Sequence, residues 1–212
     1  MNDLAGAANE YFKAIEINPT NQYFYFNLAN TFFALKNFLS AIIYFKKSLD
    51  IDPLYSDALF NLGNAHAELM KYVEQGGNYV VQYNTQSNLG PLKSQMGPYP
   101  LNITRNRITK EEAAPHFLME HALFQSPNKI TVRDFDDWVQ ERSIYLAESS
   151  DSHYQFPLAF TDPGESEQKG NIAATKYGKG QFIYTGLVFF RELPAGVPGA
   201  WRLMANMLDV RR

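Results

Sequence analysis

Asn27-Leu28-Ala29-Asn30 returns 34 residues later as Asn61-Leu62-Gly63-Asn64. The same offset carries Ala7, Tyr11 and Pro19 onto Ala41, Phe45 and Pro53. Two sets of matches at one spacing mean that a structural unit is repeated, because each unit of a stacked array must present the same face to its neighbour. Pro19 and Pro53 end their segments, since proline lacks the amide proton and restricts the residue before it. Past roughly residue 70 the period stops, and Gly, Pro and short aromatic runs read as strands and turns. One chain therefore carries two architectures.

The repeated part resembles the tetratricopeptide (TPR) repeat. Residues 22–53 read as one full unit: Asn27, Leu28, Ala29 and Phe32 on helix A, a turn at Lys36-Asn37, then Ala41, Phe45 and Pro53 with helix B. Small Ala29 and Ala41 let the two helices approach, while Leu28, Phe32, Phe38 and Phe45 fill the space between hairpins. Residues 4–17 match helix B of a preceding unit and residues 56–70 helix A of a following one, with Ser56 or Asp57 as its N-cap. Half, full and half units make a domain over residues 1–68. The resemblance implies a protein or peptide partner on the concave face lined by A helices, where Asn27, Asn30, Asn61 and Asn64 offer amides to an extended backbone. The competing role for these residues is hydrogen bonding to carbonyls within the hairpin. The lysines of the family's carboxylate-clamp subclass are replaced here by Phe26 and Phe60, so an apolar or aromatic ligand is expected in place of an acidic terminus.

Composition narrows the function. A hydrophobic share of 45% with 15% aromatic residues is enough to build packed cores. A formal charge of -3 supplies no cationic field for a phosphate backbone, so nucleic acid is not an expected partner. Without cysteine there is no disulfide, thiolate nucleophile or Cys-bound zinc. No basic n-region with an apolar core opens the sequence, and no apolar run reaches the ~18 residues that cross a bilayer. The expectation is a soluble chain, cytoplasmic by default.

In the second half, residues 69–75 before Gly76-Gly77 read as a glycine-capped helix end, and residues 78–83 as a buried strand. Residues 85–104 hold three Pro and two Gly and read as a long surface excursion. A short helix over 131–139 begins at Thr131; strands follow near 143–147, 157–161, 171–177 and 181–187, the last two joined at Gly178-Lys179-Gly180. A final helix over 199–208 turns Trp201, Leu203, Met204, Met207 and Leu208 toward the sheet.

Several strings carry a second resemblance: Tyr72-Val73-Glu74-Gln75-Gly76-Gly77-Asn78-Tyr79-Val80-Val81-Gln82-Tyr83-Asn84-Thr85, Gly97-Pro98-Tyr99-Pro100, Trp138-Val139-Gln140-Glu141-Arg142, and Arg191-Glu192-Leu193-Pro194-Ala195-Gly196-Val197-Pro198-Gly199-Ala200. Residues 69–212 are thereby similar to the C-terminal part of large bacterial LmbE/PIG-L-type deacetylases. That resemblance implies a partial flavodoxin-like α/β domain of the class I glutamine-amidotransferase-like kind. The deacetylase's His-Pro-Asp-Asp string and later His pair do not occur, and the fold's opening strands are replaced by helical repeats. The expected fold class is thus α plus α/β, TPR hairpins joined to a partial sheet domain, with the helix near residues 56–75 shared by both.

Chemistry is sparse. Glutamine amidotransfer needs a Cys nucleophile that the chain lacks, and no Gly-x-Ser-x-Gly elbow surrounds Ser166. His66, His116, His121 and His153 show no compact zinc spacing, although His116, Glu120 and His121 could meet in a folded loop. Asp134, Asp136, Asp137 and Glu141 read as a solvated helix face, Asp162 and Glu165 as turn residues, and Gly178-x-Gly180 as a hairpin turn. No catalytic residue, metal or cofactor is expected. The function expected is noncatalytic: a protein-interaction or accessory scaffold, with self-association through the exposed edges of incomplete repeats. The alternative is an accessory part of a zinc-dependent glycan deacetylation system, touching sugars through Tyr99, Trp138 and Trp201.

Overall fold

A computed structural model describes residues 3–82 and 96–209, together with the backbone of 88–89 and 92–93. The chain divides into two compact units, Met1–Tyr72 with Asn88–Met96, and Val73–Ser87 with Gly97–Arg212.

The first unit contains α1 (Leu4–Ile17), α2 (Gln22–Ala34), α3 (Phe38–Ile51) and most of α4 (Ser56–Glu74). Side chains set the helix starts: Asp3 accepts from the Gly6 N–H, Asn21 from Tyr23 and Asn37 from Ser40. At α4 the Tyr55 carbonyl accepts from the Leu59 N–H, which puts Ser56 and Asp57 inside the first turn and not at the cap. The turn between α2 and α3 closes with Asn37 N–H on the Phe32 carbonyl and Lys36 N–H on that of Phe33, while Lys36 sits at φ 57°. This is a Schellman closure with lysine where glycine is favoured.

Packing follows the sizes. Ala29, Ala41, Ala58 and Ala65 are fully buried, as are Leu28 and Phe45. Phe32 and Phe38 are only half-buried; Phe32 stacks on Tyr44 at 5.4 Å and meets the edge of Phe12, so these rings join α1 to the hairpin. The Ser48 hydroxyl, buried, donates to the Gln22 carbonyl at 2.9 Å and ties α3 to the first turn of α2.

In the second unit β1 (Asn78–Gln82) pairs parallel with β11 (Gly180–Thr185), which pairs antiparallel with β10 (Ile172–Tyr177). The result is a small mixed sheet. β1 is half-buried along its length, not fully buried as its apolar run suggests; Tyr83 lies outside the described residues. Gly178 at φ 59° starts the two-residue β10–β11 turn, and a Cβ there would strike the Glu74 carbonyl oxygen.

The stretch read as an excursion over 85–104 lies partly outside the described residues. Its described parts pair: β2 (Asn88–Leu89) with β3 (Leu92–Lys93), and β4 (Asn102–Ile103) with β8 (Ala147–Glu148). β5 (Arg107–Ile108) pairs with β7 (Ser143–Ile144), and β6 (Ala114–Phe117) with β9 (Leu158–Thr161). The single strand expected over 143–147 is therefore two, because Tyr145 at φ 56° breaks the run between them. The helix expected over 131–139 is a 3₁₀ turn at Val132–Phe135, ended where Asp137 swings to φ 61°.

Two more helices follow, α5 (Phe189–Glu192) and α6 (Pro198–Leu208). α6 buries Ala200, Leu203 and Met207, a stripe at helical spacing against the 3₁₀ turns and β1. Trp201 and Leu208 fall off that stripe and face outward, contrary to the expectation that they dock on the sheet. Gly199 is required where it stands, since a Cβ would lie 1.8 Å from the Asp134 carbonyl oxygen. Asn206, with no exposed surface, donates to the Leu123 and Asn128 carbonyls at 2.8 and 2.7 Å and accepts from Asn128 through its backbone and side-chain amides.

Two outcomes are expected. Lys36→Gly relieves the left-handed backbone and raises stability by about 0.5–1 kcal/mol in urea titration. Asn206→Leu orphans the buried Leu123 carbonyl and the part-buried Asn128 carbonyl and amides, and lowers stability of the second unit by about 2–4 kcal/mol.

Candidate functional site

The A-helix face is built by α2 and α4. Tyr23, Asn27 and Asn30 recur at i, i+4 and i+7 on α2, so one face carries a ring and two amides. On α4, Asp57, Asn61 and Asn64 follow the same spacing, with Phe60 beside them. α2 contains no charged residue at all.

The four amides divide into two kinds. Asn61 Nδ2 donates to Asn30 Oδ1 at 2.9 Å, a part-buried bond from one A helix to the next. Among the described residues neither side chain bonds a carbonyl of its own hairpin, the competing role considered from sequence. Asn27 is half-buried and Asn64 exposed, and the side chains of both are without a hydrogen-bond partner among the described residues. The bond between helices holds the spacing, and the two outer amides are left to meet another backbone.

Aromatic rings border these amides. Tyr23, 53% exposed, meets Tyr55 edge-on at 5.5 Å, and Tyr55 packs on Phe26 at 4.9 Å. Phe60 is 70% exposed. Tyr23 and Tyr55 escaped the sequence reading, although the spacing of Tyr23 from Asn27 already placed it on this face. With Phe26 and Phe60 where a carboxylate clamp would need cations, the face is amphipathic and carries Asp57 as its charge; further along α4 lie a Glu68–Lys71 ion pair and Glu74.

His66, also on α4, is half-buried, and its buried Nε2 has no partner among the described residues. Burial, reinforced by the Lys46 cation, pushes its pKa down from 6.5 to about 4, and burial likewise lowers that of Lys46. A neutral ring is thus packed into the helical unit.

The other candidates lie in the second unit. Trp138 is a core ring whose Nε1 donates to the Asp134 carbonyl at 2.8 Å, so it has no face to offer a sugar, a correction to its proposed contact role. Trp201 is 54% exposed, and Tyr99 is half-buried with one face stacked on His153 at 4.0 Å. His153 Nδ1 lies 2.7 Å from Asp151, whose carboxyl is held below its usual range by hydrogen bonds from His153. His116 meets Glu167 at 2.5 Å while His121 caps the Leu123 N–H, so the grouping of His116, Glu120 and His121 does not form. Among the described residues no three metal-binding side chains converge. Asp134 is buried instead of solvated: it accepts from the Thr131 N–H at 2.8 Å and pairs with Arg202 at 2.8 Å. Asp162 is also buried, and its carboxylate takes the backbone amides of Thr109 and Lys110 while its own carbonyl closes the turn to Glu165.

Two measurements check this arrangement. A double-mutant cycle on Asn30→Ala and Asn61→Ala should give a coupling of about 1 kcal/mol. Because folding depresses the His66 pKa, its contribution is complete above pH 6.5 and is lost as pH falls toward 4. Thermal unfolding of the parent should therefore lose about 1–3 kcal/mol across that window, a loss absent from His66→Phe.

Comparison with known proteins agrees with the helical geometry. Residues 1–36 match a family model described as TPR repeat, and residues 23–53 match one described as Tetratricopeptide repeat. No curated protein matches the chain. The hairpins at the N-terminal end are tetratricopeptide repeats.

Proposed function

We propose that the face of α2 and α4 binds an extended, uncharged peptide segment of a protein partner, with one aromatic or aliphatic side chain as its anchor. The observation that carries this reading is the Asn30–Asn61 bond, which fixes the two A helices beside each other while Asn27 and Asn64 stay unpaired. Amides read a peptide backbone without regard to sequence, and exposed rings supply the apolar contact. The tetratricopeptide matches support a protein-interaction role of this kind. The function is noncatalytic. Peptides selected from a random library on the full chain should bind Phe60→Ala about tenfold more weakly by fluorescence anisotropy, and Asn27→Ala with Asn64→Ala by a similar factor. All three side chains are partly exposed, so the unfolding midpoint should stay put. Parent-like affinity in these variants would remove the assignment.

A second reading concerns residues 69–212, as a partial flavodoxin-like domain related to those downstream of LmbE/PIG-L-type deacetylases and accessory to glycan deacetylation. It rests on the shared strings, the parallel β1–β11 pair and the outward ring of Trp201. Binding of amino-sugar oligomers that Trp201→Ala abolishes supports it; no retention on such oligomers removes it. Self-association through exposed Ile17 and Leu54 is a third, simpler outcome, tested by light scattering over a wide concentration range.

A further inference from the structure

The second unit holds a cleft of about 450 Å³ that the peptide reading does not use. Its floor is set by strand register. Asn78 on β1 lies opposite Gln181 on β11, which lies opposite Lys176 on β10. Directly paired residues share a sheet face, so three polar side chains form one row. The neighbouring row on that face, Val80, Ile183 and Ala174, is core. The polar row therefore marks where the apolar interior ends. Gln155 extends the Ala174 row by bridging to it and also lines the cleft, together with Glu120, His121 and Ser126.

Three features of this cleft are unexplained by folding. Gln181 Nε2 is buried and has no acceptor. Lys176 and Lys179 line the cleft, and neither forms an ion pair among the described residues. Glu120 lines it too and is likewise unpaired, so the opposite charges do not neutralise each other. Asn78, by contrast, is anchored, donating to the Met207 and Asp209 carbonyls at 3.4 and 2.7 Å, which leaves its oxygen as acceptor.

We propose that this cleft binds a small monocarboxylate that carries hydroxyl or ammonium groups away from its carboxylate. Two cations against one carboxylate leave a single positive charge to be met. The orphaned Gln181 amide requires an acceptor oxygen, and a carboxylate supplies it beside Lys176. Glu120 and the amide oxygens of Asn78 and Gln155 then accept from the ligand's hydroxyl or ammonium protons. A cleft of this size matches a small metabolite and not a polymer. Sugar acids and amino acids share this chemistry, and the test separates them.

The full chain is titrated by calorimetry and amide NMR with D-glucuronate, L-threonine, acetate and D-glucose. Saturable binding of glucuronate assigns a sugar acid and of threonine an amino acid, with shifts at the amides of Gln155, Lys176, Lys179 and Gln181. Acetate and glucose, each lacking half of the recognised groups, should bind at least about tenfold more weakly. Lys176→Glu and Gln181→Leu should each weaken binding by about tenfold, whereas Lys110→Glu, outside the cleft, should not. Lys176 is exposed, so its variant tests binding and not folding. Three results overturn the proposal: no saturation by about 10 mM of any probe, acetate as strong as glucuronate and threonine, or a Lys176→Glu variant that binds like the parent.

Discussion

Close approach of α2 and α3 is the constraint on which the helical unit depends. Ala29 and Ala41 are both fully buried, and only residues of that size let the backbones come near enough for Leu28 and Phe45 to close over the contact. The same logic at α4 uses Ala58 and Ala65. Once those helices are set, the Asn30–Asn61 bond becomes geometrically available, and the amphipathic face with its free outer amides follows. Enlarging one alanine would therefore be felt at the candidate partner surface as well as in the core.

The second unit is held differently. Its strands are short, many of two residues, and ladder hydrogen bonds alone would not specify one arrangement. Buried polar side chains do so: Asn206 fastens α6 to the 122–130 segment, Asp134 closes its own 3₁₀ turn and pairs with Arg202, and Asp162 grips residues 109–110. Each is saturated by partners far apart in sequence or by a turn, so a shifted register would leave a buried charge or amide unmet. The exceptions are informative. Gln181 in the cleft is one such atom without a partner, and it sits where the apolar row of the sheet gives way to the polar one.

Periodicity made the helical unit legible because a 34-residue repeat records the same burial face more than once, and the four helices begin and end within a few residues of where Asn, Asp and Pro place them. The hairpin at Gly178-Lys179 was legible for a similar reason, since that backbone admits few residues. Where the reading failed, the cause was local backbone that no pattern announces. Tyr145, Asp137 and Gln140 adopt positive φ without being glycine, which splits one expected strand and stops one expected helix. Asp134 looked solvated because its neighbours Asp136 and Asp137 are, yet its own side chain turns inward to cap Thr131.

By itself the sequence determined the helical hairpins, their order, the absence of any cysteine chemistry, and the phenylalanines in place of clamp lysines on the A-helix face, for these are properties of residue type and spacing. Only the tertiary structure decided which amides stay free, that Trp138 is core while Trp201 is surface, and that Asn78, Gln181 and Lys176 stand in one row. Those outcomes depend on strand register and on contacts between residues more than a hundred positions apart, and no local pattern in the chain encodes which distant partner satisfies a given polar atom.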